Sequence, residues 1–223
     1  MKYYPVFIDI KNKNCLVVGG GSVGLRKAVT LEKCGAKVKV ISQKFSSGFD
    51  KLKTTSIDFL QKDYENDDVR KDVFFVFAAT GNAGLNLRIK KRASKFGILC
   101  NIADSLDKSD FILPSIVDRG DLVLAVSTSG TSPAMAKKIR QDLEHCFGNE
   151  YAVFLTLMGN IRRKLLSAEH APDDHKKIFH SLINRGVLSL IKKNDTKKID
   201  LILYEILGEN YLYQNLIASN NAF

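Results

Sequence analysis

The amino-acid sequence predicts an α/β protein: an N-terminal parallel sheet wound with helices, then a small α/β segment, then a C-terminal helical domain. Three observations carry that prediction. Apolar strand-like runs alternate with helical periodicity from about residue 14 to residue 104; the first run enters a helix through "GGGSVG"; and from Tyr151 onward only helical periodicity remains.

The elements follow in order. "NCLVV" (14–18) reads as a short buried strand, followed by a helix from about Ser22 to Cys34. "AKVKVIS" (36–42) alternates apolar and polar residues as a second strand, and "SIDFLQ" is a weaker third before the acidic turn "DYENDD". "DVFFVFAAT" (72–80) is almost continuously apolar, as expected of a strand covered on both faces. "NLRIKKRASKFG" reads as a helix ending at Gly97, with "KKRASK" (90–95) on its solvated face, and "ILCNIAD" (98–104) as the next strand. β-α-β alternation of this kind is the pattern of a doubly wound sheet. After Asp104 the pattern changes. "FILPSIVDRGDLVLAVSTSG" holds two apolar runs about the turn "DRGD", an antiparallel hairpin, and "TSPAMAKKIRQDLEHC" opens a helix with Ser132 as N-cap and Pro133 in its first turn.

Composition narrows the function classes. A chain of 223 residues with 45% hydrophobic and 26% charged residues can bury a core and is not disordered. No apolar run approaches the ~18 residues of a membrane helix, and the first residues, "MKYYPVFIDIKNKNC", lack the features of a secretory signal. Cys15, Cys34, Cys100 and Cys146 lie far apart without a CxxC pair, so reduced thiols in a cytoplasmic protein are expected, with no zinc site. The net charge of +10 is spread along the chain with little aromatic interleaving, which weakens a nucleic-acid reading; a small polycarboxylate would suit a basic protein equally, and charge alone does not choose between them.

Gly19, Gly21 and Gly24 form G-x-G-x-x-G between a strand and a helix. In that setting the first glycine allows a tight turn, the second lets the backbone approach a pyrophosphate, and the third lets helix and strand pack closely. The helix N-terminus then offers unpaired N–H groups to phosphate. An acidic residue is expected at the end of the second strand to hold an NAD ribose, but Ser42, Gln43 and Lys44 stand there. The residues alone leave NAD and NADP open.

A second constellation lies in "CNIADSLDKSDFILPSIVDRGDLVLAVSTSGTSPAMAKKIR". Asp104 closes a strand at the carboxyl edge of the sheet, where open α/β folds bind ligands, and a carboxylate there can accept a proton. Ser127, Thr128, Ser129, Thr131 and Ser132 form a hydroxyl-rich run into a helix start, a seat for a substrate carboxylate. His145 lies near the end of that helix as a second candidate base. His170, His175 and His180, spaced by five, do not share one helical face and are expected on the surface rather than as metal ligands.

Taken together, "FIDIKNKNCLVVGGGSVGLRKAVTLEKCGAKVKVIS", "FAAT", "CNIAD" and "FILPSIVDRGDLVLAVSTSGTSPAMAKKIR" resemble the precorrin-2 dehydrogenase and sirohydrochlorin ferrochelatase family, the module found at the N-terminus of siroheme synthases. The matching motifs run in the same order from residue 5 to about 145, and the helical tail matches in kind. The resemblance implies NAD-dependent oxidation of precorrin-2 to sirohydrochlorin, followed in bifunctional members by insertion of ferrous iron. It implies a Rossmann domain over 1–110, a segment over 111–147 through which two chains form a homodimer, and a substrate-covering helical domain over 148–223. Gly19, Gly21, Ser22, Val23 and Gly24 would hold the pyrophosphate, Gln43 and Lys44 would flank the adenosine ribose, and Thr80 would lie towards the nicotinamide. Asp104 matches the family's candidate base. With no methyltransferase region after Phe223, the chain is not expected to make its own precorrin-2. The competing expectation is a dimeric NAD-sensing module without chemistry.

Overall fold

The computed structural model describes residues 1–52, 56–167 and 172–218. The chain forms two compact units, Met1–Leu113 and Pro114–Phe223.

The first unit is built on five strands: β1 (Asn14–Val18), β2 (Lys37–Ser42), β3 (Asp58–Gln61), β4 (Val73–Ala78) and β5 (Leu99–Ile102). They lie in the order β3-β2-β1-β4-β5, every pair parallel. Helix α1 (Ser22–Lys33) carries the chain from β1 outward to β2, and α2 (Ala83–Ser94) carries it the other way, from β4 to β5. Right-handed crossovers in opposite directions put the two helices on opposite faces. Two cores result. Ala28 and Leu31 pack with Cys15, Val17, Val38 and Val40 on one face; Ile89 and Ala93 pack with Leu16, Val18, Val76 and Ala78 on the other. Covering on both faces explains the unbroken apolar runs of β1 and β4. The reversal of direction falls between β1 and β4, and the crevice at their carboxyl ends is where this topology binds ligands.

Two details differ from the sequence reading. Helix α2 begins at Ala83 rather than Asn86, because the Asn82 side chain accepts a hydrogen bond from the N–H of Leu85 at 3.0 Å and caps a turn that propensity alone does not mark. In the basic run that follows, Lys90 pairs with Asp110 and Arg92 with Asp67, so that stretch is only partly a solvated charge run. After β5 the chain folds back along the sheet edge. Asp110 accepts from the N–H of Cys100 at 2.8 Å, the N–H of Ile102 donates to the Ser109 hydroxyl at 2.8 Å, and the Asn101 amide donates to the carbonyl of Phe111 at 2.9 Å. Side chains thus satisfy an edge that would otherwise be open. Phe111 finishes the wrap with its ring against Phe75 and Phe77.

The second unit opens with the antiparallel hairpin β6 (Ser115–Arg119) and β7 (Leu122–Val126). Gly120, at a φ of 68°, makes its turn, and Asp118 accepts from the Gly120 N–H at 3.0 Å. Helix α3 (Pro133–Cys146) packs on β6, and Val117 and Ala136 are buried. The Arg119 guanidinium donates to the carbonyls of Phe147 at 2.9 Å and Glu144 at 3.2 Å, placing a cation on the last carbonyls of α3. Among the described residues five helices follow: α4 (Glu150–Ser167), α5 (Pro172–Asn184), α6 (Val187–Lys192), α7 (Thr196–Leu207) and α8 (Tyr213–Ala218). Leu157, Ile161, Leu165, Leu182, Ile199 and Leu203 form their core. His175 is part of this interior, which corrects the expectation of a surface residue: it lies three and seven residues before Ile178 and Leu182, on the packed face of α5. His180 is exposed as expected, and His170 lies outside the described residues.

Candidate nucleotide site

The turn between β1 and α1 lies at the crevice, and each of its glycines has its own geometry. Gly19 has a φ of 128°, and a Cβ there would sit 2.2 Å from the carbonyl oxygen of Ala79. A Cβ on Gly24 would stand 1.9 Å from the carbonyl oxygen of Gly19, so helix and strand touch backbone to backbone. A Cβ on Gly20 would meet the Lys44 carbonyl at 2.2 Å and the Ser42 side chain. Gly21 is different: nothing lies within 4 Å of its missing Cβ, and its φ of −83° is ordinary. Gly19, Gly20 and Gly24 are required by the protein's own packing. Gly21 instead leaves open space at the head of a helix with no side-chain cap and no acidic residue in its first turn. Such a helix end keeps its N–H groups and its partial positive charge for an anion. The residues present therefore fit a pyrophosphate.

Around this turn opens a cleft of about 720 Å³, lined by Gly19–Gly21, Ser42–Ser46, Lys62–Tyr64 and Ala79–Asn82. That is ample for a ligand of dinucleotide class. Ser22 and Val23 follow in the first turn of α1. Where the acid would stand, the Ser42 hydroxyl donates to the Lys44 carbonyl at 2.7 Å, and the Ser42 side chain lies beside Gly20. Gln43 and Lys44 are exposed on the rim, and the Gln43 amide donates to Asp63.

Thr80 is held by a residue the sequence reading missed. Asn86, buried in α2, accepts from the Thr80 N–H at 3.2 Å and from the Thr80 hydroxyl at 2.6 Å, and its amide donates to the Thr80 carbonyl at 3.1 Å. The chemistry of these partners fixes which way the amide points. A fully satisfied buried network rigidifies what it holds, here the β4–α2 loop on the cleft wall. The legible sign was a polar residue three and seven positions before Ile89 and Ala93, on the buried face.

Asp104 stands in the turn just after β5, exposed. Its neighbour Ala103 donates to the carbonyl of Ala78 at 3.0 Å, which brings the turn beside the strand end leading to Thr80. In the second unit, the Thr128 hydroxyl donates to the Ser132 carbonyl at 2.9 Å and accepts from the Ser132 N–H at 3.2 Å. The Ser132 hydroxyl caps α3 by accepting from Met135 at 3.3 Å, and the Ser127 hydroxyl accepts from the N–H of Ser129 at 3.0 Å. Ser129, at a φ of 54°, and Thr131 are exposed, as is His145 in the last turn of α3. Cys15 and Cys100 are buried, which pushes their thiols up to about 11 and about 12 and removes them from nucleophilic chemistry at neutral pH.

A family model described as NAD(P)-binding matches residues 6–115, and one described as the sirohaem biosynthesis protein central region matches residues 119–145. The siroheme synthase of Vesicomyosocius okutanii is 37% identical over 190 residues, 85% of this chain and 40% of that protein. The siroheme synthase of Pseudoalteromonas translucida is 31% identical over 208 residues, 93% of this chain and 44% of that protein. The chain thus spans less than half the length of these curated relatives. Among solved structures, "SirC, precorrin-2 dehydrogenase" superposes with a TM-score of 0.74 at 25% identity, covering 92% of this chain and 98% of that one. A glycine turn open only at Gly21 and the two matched regions in succession lead to one assignment: the chain belongs to the family of the precorrin-2 dehydrogenases and the N-terminal module of siroheme synthases.

Proposed function

We propose that this chain oxidises precorrin-2 to sirohydrochlorin with NAD as the hydride acceptor. The observation that carries the reading is the open helix end at Gly21, in a chain that continues into the sirohaem central region. NAD bound at this turn would supply a two-electron acceptor for the hydride lost by the reduced macrocycle, and the accompanying proton would need a base. The protein's part is positioning and proton transfer. Gly19 to Gly24 orient the pyrophosphate, and the Asn86-held loop at Thr80 shapes the wall leading towards Asp104. The Asp104 carboxylate takes the proton released with the hydride. A net charge of +10 favours a substrate bearing several carboxylates. Ser127, Ser129 and Thr131 with His145 are proposed contacts for those carboxylates; Thr128 and Ser132 shape the same turn through the bonds they make to each other.

Two further assignments belong to this reading. The outer face of the hairpin exposes Ile116 and Val123, and α3 exposes Met135 and Ile139, which supports a homodimer formed through residues 111–147. No helix among the described residues is long and apolar enough to cross a membrane, and four unpaired cysteines support a reducing, cytoplasmic setting. Ferrous iron enters as the substrate of a following chelation.

The test is Asp104→Asn, assayed anaerobically with precorrin-2 and NAD, with and without ferrous iron. The variant should bind NAD as the wild type does while turnover falls ~10²–10⁴-fold. A loss confined to iron insertion would restrict Asp104 to chelation. Unchanged rates in both steps would remove it from the chemistry, and a wild type that binds NAD without consuming it would make this a sensing module.

A further inference from the structure

The carboxylate missing after β2 has a candidate replacement on the next strand. β3 lies outside β2 with Gln61 opposite Ser42, and the N–H of Lys62 donates to the Ser42 carbonyl at 3.1 Å. That register carries Asp63 to the same rim of the cleft as Gln43, where both line the wall and the Gln43 amide donates to Asp63 Oδ1. We propose that Asp63, paired with Gln43, is the residue that selects NAD over NADP, a proposal that rests on the dinucleotide reading above.

The chemistry of the pair gives the direction of selection. An ionised carboxylate only accepts hydrogen bonds, so Gln43 must turn its NH2 group to Asp63 and present its Oε1 elsewhere. The rim is left with two acceptors, Asp63 Oδ2 and Gln43 Oε1, and one negative charge. Ribose hydroxyls can donate to both. A 2′-phosphate brings acceptors and negative charge against acceptors and negative charge, so it is disfavoured twice over. Lys62, which lines the cleft and could have answered it, is already engaged with Asp68 at 2.8 Å and Glu65 at 3.5 Å. Lys44 is the exposed cation on the same rim that argues the other way, and the experiment pits it against Asp63.

Wild type, Asp63→Asn and Lys44→Ala are titrated separately with NAD and NADP by calorimetry, with circular dichroism as the check on folding. Wild type should favour NAD. Asp63→Asn should narrow the ratio of the two dissociation constants by roughly five- to tenfold, the scale of one exposed carboxylate facing a doubly charged phosphate. Most of that change should come from tighter NADP binding. Lys44→Ala should leave the preference for NAD in place or widen it. A ratio unchanged in Asp63→Asn while wild type binds NAD overturns the role of Asp63 and leaves the cofactor reading standing. A wild-type preference for NADP, lost in Lys44→Ala, gives the rim to the lysine and overturns the proposal. A wild type that binds neither dinucleotide overturns the cofactor reading and this proposal together.

Discussion

The strand-to-helix turns after β1 and β7 use their small residues in opposite ways. The glycine turn after β1 leaves the head of α1 without a side-chain cap, and the space at Gly21 stays open. The hydroxyl turn after β7 closes on itself: Thr128 and Ser132 bond each other, and Ser132 caps α3. Both look in sequence like seats for an anion at a helix N-terminus. Only the first keeps its donors unused, and that difference marks a ligand site more surely than composition does.

The comparison can be broken most severely at Gly21. Aspartate is a favoured N-cap, so Gly21→Asp should fold as well as the wild type or slightly better. Its carboxylate would nevertheless occupy the open space and repel a pyrophosphate, so NAD affinity should fall by at least about a hundredfold, some 2.7 kcal/mol. Calorimetry beside a thermal melt separates the two effects, and a variant that still binds NAD would show that the cradle lies elsewhere.

Next in size is Asn86→Ala. Truncating a buried amide leaves the Thr80 N–H and carbonyl without their partner, while the Thr80 hydroxyl keeps its bonds to the Asn82 backbone, at a cost of about 1–3 kcal/mol of stability, and the loosened loop should weaken NAD binding as well. A denaturant titration paired with NAD binding reads both. Stability lost without any change in affinity would make Asn86 purely structural.

The smallest effect is expected at the closed turn. Ser132→Ala should cost about 1 kcal/mol through the lost cap and leave NAD affinity unchanged. A rise in KM for precorrin-2 at unchanged kcat, beyond what the stability loss explains, would show that the Ser132 cap also holds the neighbouring hydroxyls in place for the substrate.

How much of this was legible follows the same division. The β1-α1-β2 unit could be read because its signals are local: an apolar run, a glycine spacing and a helix in sequence. The hairpin and the capped start of α3 were legible for the same reason. The burial of Asn86 and His175 does not show in residue type or in spacing among polar residues. Against the apolar residues three and seven positions on, both fall on a buried face. Asp63 could not be read at all, since its place beside Gln43 depends on the pairing of β3 with β2, a contact between segments twenty residues apart.

The central claim, that an NAD held at the open glycine turn oxidises precorrin-2, is tested most directly by counting products. Purified protein is mixed anaerobically with precorrin-2 and NAD, and NADH and sirohydrochlorin are followed together in wild type and Gly21→Asp. The account predicts equal amounts of the two products from wild type and neither from the variant. Sirohydrochlorin formed without NADH, or formed equally by Gly21→Asp, would contradict it.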